Sequence, residues 1–253
     1  MIENKINLCG KKDIYLLGDT HYPRGSRSKF KAVLDEIKHN RNARLLGFGD
    51  WIEGISHTDP RYHPEETPFN LNIDEQWATF EEDISYISDK IIGLHAGNHE
   101  HVLIVRHDTN ELQKICKRHN IKYLGEGFAV HQFKGDAGTT NIASFHGVGG
   151  GISAGYAYNK LEYLSHIFGD LDVIAVGHTH KLGVNMQITP LVFGDGRLTQ
   201  KFLYSCSTGS FLTNYEEDTC SYGERKGYHP LPLGYIKIEY DDGIIKKVSV
   251  CPV

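Results

Sequence analysis

The chain has no long apolar run, no excess of positive charge and no paired cysteines, and each absence removes a class of protein. Its apolar stretches last only a few residues, far short of the roughly 20 that span a bilayer. No apolar signal core follows Met1-Ile2-Glu3-Asn4-Lys5, so a cytoplasmic protein without membrane contact is expected. A net charge of -5 excludes the broad basic surface of non-specific nucleic-acid binders, though not a local basic patch. The five cysteines, Cys9, Cys116, Cys206, Cys220 and Cys251, are scattered and odd in number, and none forms a Cys-x-x-Cys pair. That suits a reducing compartment, argues against a structural zinc knuckle and leaves small buried hydrophobes as the reading for all five. Internal repeats and low-complexity segments are missing as well.

What is present is an ordinary globular composition, 40% hydrophobic and 23% charged over 253 residues, enough for a full core in one domain covering 1–253. Apolar runs predict strands at 13–17, 43–48, 90–95 and 172–176. A hairpin-like pair is expected at 127–133 and 139–145, and a β-rich C-terminal segment, 183–253, holds strands at 183–193, 200–206, 233–240 and 244–251. Helical spacing predicts helices at 26–40, where Phe30, Val33, Leu34 and Ile37 recur behind a Ser26 N-cap, and at 73–88, 109–119 and 157–168. The first fifty residues read as a parallel, right-handed β-α-β unit. Residues 54–72, with Pro60, Pro64, Pro68, His57, Arg61 and His63, read as a loop or cap insertion.

Histidine is abundant, at 15. Five of these residues fall in five ordered segments that end in metal-ligand types: Gly18-Asp19-Thr20-His21, Gly49-Asp50, Gly97-Asn98-His99-Glu100, His146-Gly147 and Gly177-His178-Thr179-His180. Most follow an apolar run, so the ligands gather where strands give way to loops. In extended backbone, positions i and i+2 project to one face, which lets Asp19 with His21, and His178 with His180, each offer two ligands to one side. The Asp50 carboxylate can bridge two cations with its two oxygens. Asn98 adds an amide oxygen, and in extended geometry the adjacent His99 points the other way, toward a substrate. The glycines at 18, 49, 97 and 177 remove Cβ bulk where the chain bends. Asp19, His21, Asp50, Asn98, His146, His178 and His180 contain no thiolate and are too many for one tetrahedral site. They fit two divalent transition metals, with Mn, Fe, Zn, Ni or Co suited to the donors. Two such ions about 3.5–4 Å apart suit phosphoester hydrolysis.

The ordered set resembles the calcineurin-like metallophosphoesterase superfamily, whose pattern is Asp-x-His, Gly-Asp, Gly-Asn-His-Asp/Glu, His and Gly-His-x-His. The resemblance implies an α/β fold, a four-layer α-β-β-α sandwich of two mixed β-sheets flanked by helices. It implies that Asp19, His21, Asp50 and His180 hold one metal and that Asp50, Asn98, His146 and His178 hold the other, with Mn2+ the expected ion. His99 would protonate the leaving oxygen and a metal-bridging hydroxide would be the nucleophile. The segment 205–210 matches the family's Asn-Pro-Gly-Ser only in Gly209-Ser210 and receives no catalytic role.

The block Gly49-Asp50-Trp51-Ile52-Glu53-Gly54 lacks the arginine of Gly-Asp-x-x-Asp-Arg-Gly, which disfavours a protein phosphatase. Asp89-Lys90-Ile91-Ile92-Gly93, and the glycine-rich stretch after His146 with Asn159-Lys160-Leu161, look like phage and prophage phosphoesterases. The expected substrate is a phosphodiester: a nucleotide, a cyclic nucleotide or a nucleic-acid end. A phosphomonoesterase or a nucleotide-sugar or lipid pyrophosphatase is the alternative. A non-enzymatic scaffold would normally have lost a ligand, and this chain has lost none. Of the remaining residues, His95 and His101 read as surface or supporting groups and Glu100 as a supporting group or a helix cap. Arg61, His57, His63 and Lys160 read as loop residues within reach of a phosphate. The Tyr-rich loop 214–232, with Glu216-Glu217-Asp218, Glu224-Arg225-Lys226, Tyr215, Tyr222 and Tyr228, could stack on bases or contact a partner, leaving a homo-oligomer open.

Overall fold

The run Ile14-Tyr15-Leu16-Leu17 is apolar at every position because it is covered on both sides. Tyr15 and Leu17 face one core, and Ile14 and Leu16 face another, as the two-residue period of a strand requires. A computed structural model of the chain describes residues 1–55, 59, 62, 72–149, 154–188, 192–194, 197–199, 201–215 and 222–253. In chain order its first elements are β1 (Ile2–Asn7), β2 (Lys11–Leu17), α1 (Arg27–His39), β3 (Ala43–Gly47), α2 (Ile73–Ser85), a 3-10 turn (Ser88–Lys90), β4 (Ile91–His95), α3 (Asn98–His107), α4 (Glu111–Arg118) and β5 (Tyr123–Gly125). There follow β6 (Ala129–Lys134), β7 (Thr139–Phe145), α5 (Ala154–Ser165), β8 (Val173–Val176), β9 (Leu182–Ile188), β10 (Val192–Gly194), β11 (Arg197–Thr199), β12 (Phe202–Thr208), α6 (Tyr222–Arg225), β13 (Gly234–Asp241) and β14 (Ile244–Pro252).

Two six-stranded mixed sheets result, ordered β14-β13-β2-β3-β4-β5 and β1-β6-β7-β8-β12-β9, with β10 and β11 forming a separate two-stranded ladder. Three apolar layers join them into a sandwich. In the outer layer of the first sheet, Phe30, Val33, Leu34 and Ile37 of α1 pack with Trp77, Phe80 and Ile84 of α2 and with Leu112 and Ile115 of α4. Each such side chain contributes on the order of 1.5–3 kcal/mol on burial. Between the sheets, Ile14, Leu16 and Leu46 meet Phe133, Ile142, Val173 and Ala175. Beyond the second sheet, Ala143, Phe145, Ile174 and Val176 pack on Leu161 of α5. This is the expected α-β-β-α order.

The sequence reading differs from the structure in several elements. β1 and β5 were not expected; β1 adds to the sheet edge in parallel register with β6. α3 replaces what was read as extended chain after β4. Ser26 stands at the N-cap of α1 but makes no side-chain cap bond, whereas Asn72 caps α2 by accepting from Glu75 N–H. Of the cysteines, Cys116 and Cys206 are buried, but Cys9 is exposed and Cys251 is half-buried. Residues 56–58, 60–61, 63–71 and 216–221, with His57, Arg61, His63, Cys220 and the acidic run Glu216-Glu217-Asp218, lie outside the described residues. No described helix is long and apolar enough to cross a membrane.

A polar chain crosses the core between the sheets. His95, read as a surface or supporting group, is fully buried. Its Nδ1 donates to Gly125 O at 3.1 Å, and its Nε2 meets Ser144 Oγ at 2.8 Å. Ser144 Oγ also meets His131 Nε2 at 2.8 Å, and His131 Nδ1 meets Asn4 Nδ2 at 3.1 Å. Asn4 Oδ1 accepts from Lys122. One proton arrangement satisfies every link. With His95 protonated on Nδ1, Ser144 donates to His95 Nε2 and accepts from His131 Nε2–H, and His131 Nδ1 accepts from the Asn4 amide.

Both imidazoles are therefore neutral, and burial pushes each down to about 3. Because the folded values lie below the unfolded one near 6.5, their stabilisation is complete above about pH 6.5 and is lost as pH falls. Each imidazole should remove up to roughly 1.4 kcal/mol per pH unit in that range. Urea unfolding measured from pH 7 to pH 4 should show this fall, and His131→Gln should have a shallower profile. An identical slope in wild type and variant would refute the assignment.

Candidate metal centre

All five ligand-bearing segments leave the C-terminal ends of strands: β2, β3 and β4 in one sheet, β7 and β8 in the other. The loops are tied to one another through their backbones. Asp19 N–H donates to Gly49 O at 2.8 Å, His21 N–H to Asp50 O at 3.0 Å, and Gly177 N–H to His146 O at 2.8 Å. Phe211 N–H and Ser210 Oγ, each at 3.0 Å, converge on Asp19 O. Ser210 and Phe211 therefore support the first ligand loop, a structural part that the partial match at Gly209-Ser210 did not reveal.

The local conformation is not the extended one read from the sequence. Asp19 (φ 52), His21 (φ 48), Asp50 (φ 51), His178 (φ 61) and His180 (φ 55) all adopt left-handed backbone, at a cost on the order of 1–3 kcal/mol each. The i, i+2 pairs converge because both members are left-handed. Close approach also needs two glycines. A Cβ on Gly97 would collide with the Asp50 carboxylate, and one on Gly177 would stand 2.6 Å from Asp19 Oδ2.

The structure brings all seven expected ligands together. Asp19, His21 and His180 form one group, and Asp50, His146 and His178 form another. In the first, His21 Nε2 lies 3.0 Å from His180 Nε2, and His180 Nε2 lies 3.4 Å from Asp19 Oδ1. In the second, His146 Nε2 lies 3.2 Å from His178 Nδ1, 3.1 Å from Asn98 Oδ1 and 3.2 Å from Asp50 Oδ2. Donors sharing a cation at about 2.1 Å stand about 3.0 Å apart along an octahedral edge and about 3.4 Å along a tetrahedral one. The spacing and the N/O donor set fit divalent transition metals.

Asp50 Oδ2 also lies 3.9 Å from His21 Nε2, so this one oxygen faces both groups. Asp50 Oδ1 instead accepts from His99 N–H at 2.9 Å, at the start of α3. The expectation of one Asp50 oxygen per cation is revised accordingly: the helix N-terminus claims the other oxygen.

Asn98 and His99 open α3 rather than alternating along a strand. His99 is set by its Nδ1, which donates to Glu53 O at 2.5 Å, leaving Nε2 on the opposite edge of the ring. Glu100 supplies both roles weighed for it. Its carboxylate accepts from Gly97 N–H at 2.7 Å, at the helix start, and from Asp50 and Trp51 N–H at 2.9 Å each. Glu53 was not singled out from the sequence, although it is the one acidic residue after Asp50 in its block; Glu53 Oε2 meets His21 Nδ1 at 3.0 Å.

The other residues considered stand apart. His101 is exposed and pairs with Glu126 at 2.8 Å. Lys160 donates to Val148 O, in the loop that follows His146. Tyr215 OH donates to Tyr228 O at 2.7 Å.

Burial opposes charge on Asp50, but His146, His99 and His21 hold its carboxyl well below the usual range. Burial likewise opposes charge on His146, yet Asp50 and Asp19 raise it to about 10. Burial lowers His21 and His178. A proton on His146 thus offsets part of the negative charge of Asp19 and Asp50.

No protein-family model matches the chain, and no curated protein matches it. Among solved structures it is similar to a predicted phosphoesterase from Streptococcus pneumoniae TIGR4, at 15% identity and a TM-score of 0.42, over 96% of this chain and 90% of that one. It is also similar to Vps29 of Entamoeba histolytica, solved with zinc, at 14% identity and a TM-score of 0.43, over 95% and 98% of the two chains. Vps29 of Cryptosporidium parvum matches at 16% identity and a TM-score of 0.43, over 96% and 100%. Likeness at this level is one of outline alone.

A cation entering the His146 group must displace its proton. Mn2+ titration of the metal-free chain at pH 7–8, in buffers of different ionisation enthalpy, should release about one proton, and apparent affinity should fall about tenfold per pH unit lowered. Affinity unchanged between pH 6 and pH 8 would contradict this.

Proposed function

We propose that this chain is a binuclear metal-dependent phosphoesterase that hydrolyses a phosphodiester: a nucleotide, a cyclic nucleotide or a nucleic-acid end. The observation that carries the reading is the position of Asp50 Oδ2 between two ligand groups, with His99 hydrogen-bonded to the same carboxylate through its backbone. Asp19, His21, Asp50 and His180 would hold one divalent cation, and Asp50, Asn98, His146 and His178 the other, with Mn2+ first among the candidates. Bound there, the two ions supply a water of lowered pKa and neutralise phosphoryl oxygens.

The chain's own part is positioning and proton transfer. Two buried carboxylates and four imidazoles on strained loops fix the ligand atoms before substrate arrives, so little reorganisation is needed during reaction. His99, held at Nδ1 by Glu53 O, presents Nε2 as the donor that protonates the departing oxygen. A diester with an alkoxide leaving group needs that proton most. Gly54, at the position where protein phosphatases carry the arginine of Gly-Asp-x-x-Asp-Arg-Gly, supports a substrate other than a phosphoprotein.

The runs around Lys90 and Lys160 support a place in the phage-type branch of the superfamily. The buried free thiols of Cys116 and Cys206 support work in the reducing cytoplasm.

With Mn2+ added, the chain should turn over bis-p-nitrophenyl phosphate faster than p-nitrophenyl phosphate. The reverse order would favour the monoesterase alternative, and no turnover of either with Mn2+ or Ni2+ would overturn the enzyme reading. His99→Ala should keep both metals by elemental analysis yet lose about 10²–10⁴ in kcat on diesters with alkyl leaving groups. A smaller loss is expected with p-nitrophenolate, which leaves without help; equal losses on both would remove His99 from the acid role.

A further inference from the structure

We infer that Glu53 is a positioning residue that sets the tautomers of two imidazoles at once, His21 in the metal centre and His99 beside it. This rests on the proposed metal-dependent function.

Glu53 is buried and is held by its own backbone, its N–H donating to Tyr22 O at 2.7 Å. That bond is one rung of a ladder between the loops after β2 and β3, the others being Asp19 to Gly49, His21 to Asp50 and Tyr22 to Trp51. The next residue is fixed as well, Gly54 N–H donating to Gln76 Oε1 at 3.0 Å. From this rigid place Glu53 acts in two directions. Its Oε2 accepts from His21 Nδ1 at 3.0 Å, and its carbonyl accepts from His99 Nδ1 at 2.5 Å. The rings stand edge to face, with centroids 4.7 Å apart.

An imidazole that donates from Nδ1 to a carboxylate keeps Nε2 unprotonated and more basic, which is what a metal ligand requires. His146 also donates from Nδ1, to a weaker acceptor, Phe48 O, at 2.6 Å. At His21 the acceptor carries a full charge. Arg24 Nη1, 3.6 Å from Glu53 Oε1, lies on the far side of that carboxylate and balances it. His21, Glu53 and His99 also form a three-residue cluster of metal-ligand types. The hydrogen bonds account for it without a third cation: His99 Nδ1 addresses the main-chain carbonyl of Glu53, not its carboxylate.

The test compares wild type, Glu53→Ala and Glu53→Gln as full chains. Calorimetric Mn2+ titration should show Glu53→Ala weakened about 10–100-fold at one of two sites, the other remaining within a few-fold of wild type. Glu53→Gln, whose amide oxygen still accepts from Nδ1–H, should recover most of the lost affinity. Long-range 1H–15N spectra of the metal-free chains should show His21 as the Nδ1–H tautomer in wild type and Glu53→Gln, and a tautomer mixture in Glu53→Ala. Two wild-type Mn2+ affinities in Glu53→Ala, or a Gln variant as weak as the Ala variant, would overturn the inference. A wild-type chain that binds two Mn2+ but hydrolyses no phosphoester would overturn the hydrolase reading alone, and the affinity comparison would still decide the role of Glu53. A wild-type chain that takes up no Mn2+ would overturn both.

Discussion

Two carboxylates, Asp19 and Asp50, are removed from water where the ends of two sheets meet, and the surrounding structure is organised around making that tolerable. An isolated buried carboxylate costs several kcal/mol even after relaxation. Asp19 is met by His178 N–H on both oxygens at 3.0 Å, and Asp50 by His99 N–H and the His146 imidazole. Those donors reach the carboxylates only because Gly97 and Gly177 carry no side chain and five ligand residues accept left-handed backbone. Strain, glycine and charge are thus one arrangement, since relaxing any of them moves an N–H away from a carboxylate.

Because the candidate ligands come from both sheets, a shared centre requires the sheets to keep a fixed relation to one another. Apolar packing between them sets the distance but is tolerant of sliding; hydrogen bonds are not. The chain from Gly125 through His95, Ser144 and His131 to Asn4 links β4 of one sheet to β7, β6 and β1 of the other. His95 lies three residues before Asn98, and Ser144 two before His146. The same strands therefore carry an inter-sheet lock in the core and a candidate ligand at the end. On the helical side, Asp83 has a comparable role. It accepts two bonds from Arg27, at 2.8 and 2.7 Å, and one from Tyr22 at 2.5 Å, which anchors the residue next to His21 to α1 and α2.

The sequence disclosed the parts of this design that repeat locally. The helical spacing of Phe30, Val33, Leu34 and Ile37 and the double-faced run at Ile14 were legible because periodicity reports burial. The seven candidate ligands were legible as a set because their residue types are unusual at strand ends. The rest depended on distant partners. β1 reads as a polar segment, since its Asn4 is satisfied by Lys122 and His131, both more than a hundred positions away. α3 was hidden because its first turn is made of the very residues that looked like ligands, although Glu100 accepting from Gly97 N–H is an ordinary helix start. Left-handed backbone at Asp19 or His180 has no sequence mark beyond the tolerance of Asp and His for it.

The charge balance around His146 bears on the order of binding. In the cation-free cluster two carboxylates face a single protonated imidazole, so the pocket carries no surplus positive charge to attract a phosphoester anion. Arg24 does not supply one, because its guanidinium lies against Glu53 on the far side of His21. Divalent cations held by these residues would turn the net charge of the cluster positive and would displace the His146 proton. On the proposed function, anion binding is then subordinate to cation binding. The carboxylates that are costly to bury are what let the pocket discriminate between an empty and a loaded state.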